Sequence, residues 1–138
     1  MDDLNLWNDR DLARREELEA RRRDWRNGAV IYQILVDRFV PSDRLEAKAE
    51  LYQAPRRLKG WDETPVQGVY DPDSRVWTHE VEFWGGDLAS LSTKIDYLEN
   101  LLVDVVYLNP IFESLTNHKY DTWDYHNCLL YTSPSPRD

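Results

Sequence analysis

Two apolar runs stand out along the chain, separated and flanked by segments in which polar residues dominate. From Asp9 to Arg26 arginine and glutamate recur, with Glu17 and Arg21, and Glu19 and Arg23, spaced i to i+4 in the favourable order. This predicts a helix ending at Asn27-Gly28. Its apolar positions, Leu12, Leu18 and Trp25, form too narrow a stripe to bury, so it is expected to be largely solvated and to lean on the next element. Ala29-Val30-Ile31-Tyr32-Gln33-Ile34-Leu35-Val36 is nearly all apolar and rich in β-branched residues, the pattern of a parallel-sheet strand buried on both faces. It ends at Asp37-Arg38. From Val40 to Phe83, Pro41, Pro55, Pro65 and Pro72 break any long helix and leave a short helical pattern near Arg44 to Tyr52. A connection this long is uncommon inside a compact domain and is usually a functional or capping excursion. After Gly85-Gly86, Asp87 is placed to cap a helix whose Leu88, Leu91, Ile95, Leu98 and Leu102 follow helical spacing. Asp104 to Leu108 is a second buried strand, closed by Asn109-Pro110. Strand, crossover helix and strand predict a right-handed β-α-β unit, the building block of parallel α/β folds.

Composition narrows the partners. With 41% hydrophobic and 31% charged residues, the 138-residue chain has a globular composition and room for one domain. A net charge of -9 repels phosphate backbones, so a nucleic-acid partner is not expected. Neither is a membrane one, because no run approaches the roughly 18 apolar residues of a span. The first residues, Met1 to Asn8, lack the basic start and apolar run of a secretory signal. The single cysteine, Cys128, permits no internal disulfide. Six tryptophans and eight tyrosines are many for this length; most serve packing, but sugar clefts also need flat apolar faces with a polar edge.

Three segments together resemble one family. Val30-Ile31-Tyr32-Gln33-Ile34 leading to Asp37-Arg38-Phe39 resembles the first barrel strand of the α-amylase family, glycoside hydrolase family 13. Phe83-Trp84-Gly85-Gly86-Asp87-Leu88 resembles the start of its first barrel helix. Val106-Tyr107-Leu108-Asn109-Pro110-Ile111-Phe112-Glu113-Ser114, then Asn117-His118-Lys119-Tyr120-Asp121-Thr122 and Asp124-Tyr125, is similar to its second strand and the loop that follows. The wording is nearest to the cyclomaltodextrinase, neopullulanase and maltogenic amylase branch. The resemblance implies an α/β fold, the truncated N-terminal part of a (β/α)8 barrel, with the active site at the C-terminal ends of the strands. It divides the chain into an N-terminal helical extension (1–28), the start of the glycosidase barrel (29–126) and a tail (127–138). The Ser-Pro repetition of that tail cannot continue a buried strand and looks like a translated sequencing adapter rather than native sequence.

The same resemblance implies retaining hydrolysis of α-glucosidic bonds in maltodextrins or related glucans, through a covalent glycosyl-enzyme intermediate. Tyr120 matches the tyrosine that stacks on the sugar next to the scissile bond, and Asp124 the recurrent acid of the same loop, expected to hold the loop or bind near the sugar. Asn117 and His118 read as loop structure. A calcium ion is implied at the Gly85 carbonyl and the Asp87 carboxylate, but Val40-Pro41-Ser42-Asp43-Arg44 lacks the Asn/Asp-rich loop of the other half of the site, and the alternative is that Asp87 only caps a helix. Retaining enzymes need two carboxyl groups roughly 5–5.5 Å apart. In the family these lie on the fourth and fifth strands, so no catalytic residue is assigned among Asp37, Glu113, Asp121 and Asp124, and the chain alone is expected to be inactive. Transglycosylases and sugar isomerases share these segments, as do non-enzymatic barrels such as transporter heavy chains.

Overall fold

The computed structural model describes residues 7–128. The readings made on Met1 to Leu6 and on residues 129–138 of the tail lie outside the described residues. The first helix divides into α1 (Asp9–Ala13) and α2 (Arg15–Arg23), with Arg14 between them at φ -111°, ψ 18°. Asn8 caps α1 by accepting the N–H groups of Arg10 (2.9 Å) and Asp11 (3.0 Å). The acid–base pairs differ from those expected. Arg14 meets Glu17 at 2.6 Å and Arg15 meets Glu19 at 2.7 Å, while Arg21 and Arg23 act on the same glutamates only through their charge. No residue of either helix is buried, because the apolar stripe is too thin to bind a core.

Strand β1 (Ile31–Ile34) ends in a 3-10 turn at Val36–Arg38. The excursion then carries α3 (Leu45–Lys48), β2 (Arg57–Leu58), β3 (Tyr70–Asp71), β4 (Val76–Trp77) and β5 (Glu82–Phe83). β2 pairs with β5 in parallel, and β3 with β4 as an antiparallel hairpin. The predicted crossover helix is two short ones, α4 (Leu88–Ser92) and α5 (Ile95–Asn100). At the junction the Ser92 and Thr93 hydroxyls donate to the Ala89 and Ser90 carbonyls, both at 2.6 Å, the local side-chain bonding that competes with helix continuation. Leu102 ends α5 in the left-handed region (φ 56°), with the Val103 N–H reaching back to the Leu98 carbonyl, and is 78% exposed rather than a core position.

Strand β6 (Val105–Leu108) pairs with β1 in parallel, Ile31 opposite Val105 and Ile34 opposite Leu108. The register is held at both ends. The Asp104 carboxylate accepts the Val30 N–H at 2.8 Å, and the Gln33 amide donates to Asn109 Oδ1 at 2.6 Å. Finally β7 (Phe112–Glu113) and β8 (Asp124–Cys128) form an irregular antiparallel pair around the intervening loop. The core collects Ile34, Val36, Leu91 and Leu98, with Tyr32, Phe39, Leu88, Val103, Leu108 and Ile111 packed around it. One expectation is corrected here. β1 and β6 are not buried on both faces: Ile31 is 65% exposed, and Val106 and Tyr107 are exposed too. α4 and α5 supply core residues on one side, and no described element covers the other.

Candidate functional site

The C-terminal ends of β1 and β6 carry two bonded structures, the junction after β1 and the loop after β6, from which Tyr120 stands exposed. The junction forms where the 3-10 turn after β1 meets Trp84-Gly85-Gly86-Asp87. The buried Asp37 carboxylate accepts the Trp84 N–H at 3.0 Å and the Gly85 N–H at 2.9 Å, and the Asp37 carbonyl accepts the Gly86 N–H at 3.0 Å. Burial pushes the Asp37 carboxyl above its usual range, a shift opposed by these N–H groups and by the charges of Arg38 and Lys119. The Arg38 guanidinium lies over the Trp84 ring, 4.2 Å from its centre.

The sequence requirements of this junction are steric. Gly85 has φ +73°, and a Cβ there would sit 2.4 Å from the Leu45 side chain. At Gly86 a Cβ would meet three main-chain carbonyl oxygens, of Val36 at 2.3 Å, Val40 at 2.8 Å and Asp37 at 2.9 Å. Asp87 caps α4, its Oδ1 accepting the Ser90 N–H at 2.6 Å. Its Oδ2 accepts the Ser42 hydroxyl at 2.6 Å and also a hydrogen bond from the Lys48 ammonium. Burial raises the Asp87 pKa, but the bonds from Lys48, Ser42 and Ser90 outweigh it and hold the carboxyl at about 2.

These residues do not fit the implied calcium ion. Calcium takes six to eight oxygens, whereas both oxygens of Asp87 already have donors and one of those donors is a cation. No group of three or more His, Cys, Asp or Glu suited to a metal exists among the described residues. Asp87 therefore serves as helix cap and ion-pair partner, and Gly85 as the residue that tolerates the positive φ.

The loop after β6 runs from Asn109 to Trp123 and includes β7. Asn117 anchors it to the excursion: its N–H donates to the Glu80 carbonyl (2.7 Å) and its amide to the carbonyls of His79 (2.7 Å) and Glu82 (2.8 Å). His118 Nδ1 accepts the Tyr120 N–H at 3.2 Å. The Thr116 hydroxyl bonds Asp121, whose carboxyl is held below its usual range because this bond and the Thr116 N–H outweigh the raising effect of burial. Both Asn117 and His118 are thus built into the loop, as expected. Tyr120 projects from it with 63% of its surface exposed, its ring centre 5.9 Å from that of His118. Asp124, half-buried at the start of β8, accepts the His126 N–H at 2.7 Å.

Sequence reasoning missed a buried charged cluster beneath this loop. Arg56, from the excursion, bonds Glu113 Oε1 (2.8 Å) and the Ser114 carbonyl (2.7 Å), and its guanidinium lies 5.7 Å from the Trp123 ring centre. Lys119 is only 5% exposed, with φ 59°, and its ammonium has no hydrogen-bond partner among the described residues. Burial pulls the Lys119 pKa down, against the opposing charges of Glu113 and Asp37. Nothing in the proline-broken stretch around Arg56 signals this contact with Glu113, 57 positions away in the chain; the one available hint was a lysine inside an otherwise short-polar loop. A cavity of about 550 Å³ adjoins the cluster, lined by Gln53, Pro55, Arg56, Glu113, Leu115 and Trp123 among others. Of the carboxylates near the strand ends, Asp37, Glu113, Asp121 and Asp124 each have the structural hydrogen bonds described above.

Comparison with known proteins places this arrangement. Residues 33–129 match the family "Alpha amylase, catalytic domain", and the chain belongs to that family. Its sequence is 43% identical over 112 residues to an amylopullulanase of Thermoanaerobacterium saccharolyticum, covering 74% of this chain and 8% of that protein. It is 37% identical over 103 residues to a cyclomaltodextrinase of Thermoanaerobacter pseudethanolicus, covering 75% and 14%. Among solved structures, the cyclic α-maltosyl-(1→6)-maltose hydrolase of Arthrobacter globiformis in complex with maltose superimposes with a TM-score of 0.58 at 31% identity, over 80% of this chain and 21% of that one. The chain thus spans a small fraction of the length of these relatives. Its small sheets are part of a barrel-type catalytic domain and do not form a closed barrel. No described helix is long and apolar enough to cross a membrane.

Proposed function

We propose that this chain is the opening part of a retaining glycosidase that cleaves α-glucosidic bonds in maltodextrins, cyclodextrins or related glucans. Tyr120 would supply the flat face on which the sugar next to the scissile bond stacks, and Asp124 would hold the loop end that positions it. The nucleophile and the acid would come from residues outside these 138. The observation that carries the reading is the exposed Tyr120 ring on a loop leaving the C-terminal end of a parallel strand, where barrel enzymes of this kind assemble their sites. The phenol offers an apolar face to the C–H surface of a glucose ring and a hydroxyl to its polar edge. Likeness to an amylopullulanase and a cyclomaltodextrinase supports the substrate class.

The test uses the full-length protein with β-cyclodextrin, maltotriose and pullulan. Hydrolysis of at least one is expected, and Tyr120→Ala should lower kcat/KM by about 10- to 100-fold, the equivalent of roughly 1.4–2.8 kcal/mol of lost transition-state binding. An inert full-length protein, or a Tyr120→Ala variant with unchanged kinetics, would overturn the assignment.

A further inference from the structure

The buried contact between Lys48 and Asp87 has a consequence independent of the substrate. Asp87 is 4% exposed and Lys48 8%. Asp87 takes Ser42 and Lys48 on one carboxylate oxygen and the Ser90 N–H on the other, with the Ser90 side chain also bonded to it. Lys48 is the last residue of α3, and α3 also places Leu45 against the bare backbone of Gly85. One short helix of the excursion therefore packs over the glycine pair and delivers a positive charge to the capping aspartate. The charges balance as a single pair. Among the described residues Asp87 is the only carboxylate bonded at this point, and one ammonium neutralises it where a divalent ion would leave an excess charge in a buried place. Asp37, the other buried acid of the junction, is bonded to the Trp84 and Gly85 N–H groups instead.

We propose that Lys48 is a built-in cation that takes the place a metal would hold at Asp87, so that the excursion locks onto the start of the first barrel helix without calcium. A side chain cannot be chelated away, so this junction is insensitive to metal depletion, and its integrity depends on one lysine. Removing the ammonium alone leaves a buried unpaired carboxylate, whereas removing both charges leaves a polar but neutral contact.

Thermal unfolding of the full-length protein separates these cases. Lys48→Met is expected to lower the midpoint by about 5 °C, and the double variant Lys48→Met, Asp87→Asn to recover at least half of that loss. Any effect of a chelator on the midpoint should be the same in the wild type and in the double variant. A Lys48→Met protein melting with the wild type would overturn the proposal, as would a double variant no better than the single. Should Lys48→Met fail to fold, wild-type crystals soaked in terbium decide the matter directly. An anomalous peak within bonding distance of Asp87 refutes the built-in cation, and the Lys48 ammonium in that position with no peak upholds it.

Discussion

Gly86 shows at the residue scale how little latitude the junction has. Its missing side chain lets three carbonyl oxygens of the turn after β1 come within 3 Å of where a Cβ would stand, and main-chain atoms cannot rotate aside as a flexible side chain can. Gly86→Ala is expected to destabilise the full-length protein by about 1–3 kcal/mol, the range of overpacking in a filled interior. Gly28→Ala is the control. An added Cβ at Gly28 would meet nothing within 4 Å, but the residue has φ +84°, so its cost is torsional alone, about 1 kcal/mol. Equal losses in the two variants, measured by denaturant unfolding, would mean that the close approach at Gly86 is not what selects glycine. The glycine pair was readable in the sequence as a motif; its steric cause was not, because the carbonyls it meets belong to Val36, Asp37 and Val40, far back along the chain.

At the scale of elements, the excursion between β1 and α4 is tied down by buried charge as well as by its own buried apolar residues, Val40, Tyr52, Val81, Phe83 and Trp84. Arg56 reaches from the excursion to Glu113 in β7, with 10% and 6% of the two side chains exposed. Arg56→Met would leave Glu113 buried without its hydrogen-bonded cation, with only the charge of Lys119 nearby, and should cost about 3 kcal/mol, which calorimetry of the full-length protein can measure. Lys119 contributes a pH dependence of definite sign. Its folded pKa lies below 10.5, so between the two values the unfolded chain binds more protons and stability rises with pH. Glu113, Asp37 and Asp121 face it with negative charge and Arg56 with positive. As the pH rises toward 10.5 the wild type should therefore gain melting temperature relative to Lys119→Met; a gap that is constant or reversed would show that Lys119 is not depressed. The two apolar runs and their parallel pairing were legible from β-branched content and spacing, as was the cap at Asp87. The breaks at Arg14 and at Ser92-Thr93 were not; at the second, periodicity records which face is apolar and is blind to hydroxyls that bond the backbone behind them. The charged anchors escaped for a related reason: a single Arg, Lys or Glu in a polar stretch looks solvated until its distant partner is known.

For the whole molecule, the decisive feature is the uncovered side of the β1–β6 pair. Ile31, Val106 and Tyr107 stand exposed on two strands whose outer edges have no described hydrogen-bonding neighbour. Unpaired edges next to apolar side chains are templates for association between chains, and a two-stranded pair is marginal in water even with one face covered. The apolar cluster against this pair lies on one side, with Ile34, Val36, Leu91 and Leu98 at its centre, and Val40, Tyr52, Val81, Phe83 and Trp84 are buried in the excursion. At roughly 25 cal/mol per Å² of apolar surface removed from water, the nine buried apolar residues among those described offer little against an ordering cost on the order of 1–2 kcal/mol per residue of backbone. The isolated 138-residue chain is therefore expected to associate or to unfold without a cooperative transition, binding hydrophobic dye at neutral pH, whereas a longer segment supplying strands to both edges should melt sharply. Circular dichroism and calorimetry on the two proteins distinguish these outcomes. A sharp, reversible, concentration-independent melt of the 138-residue chain would show that the junction at Asp37 and Asp87, together with the buried ion pairs, stabilises the fold more than its apolar core does.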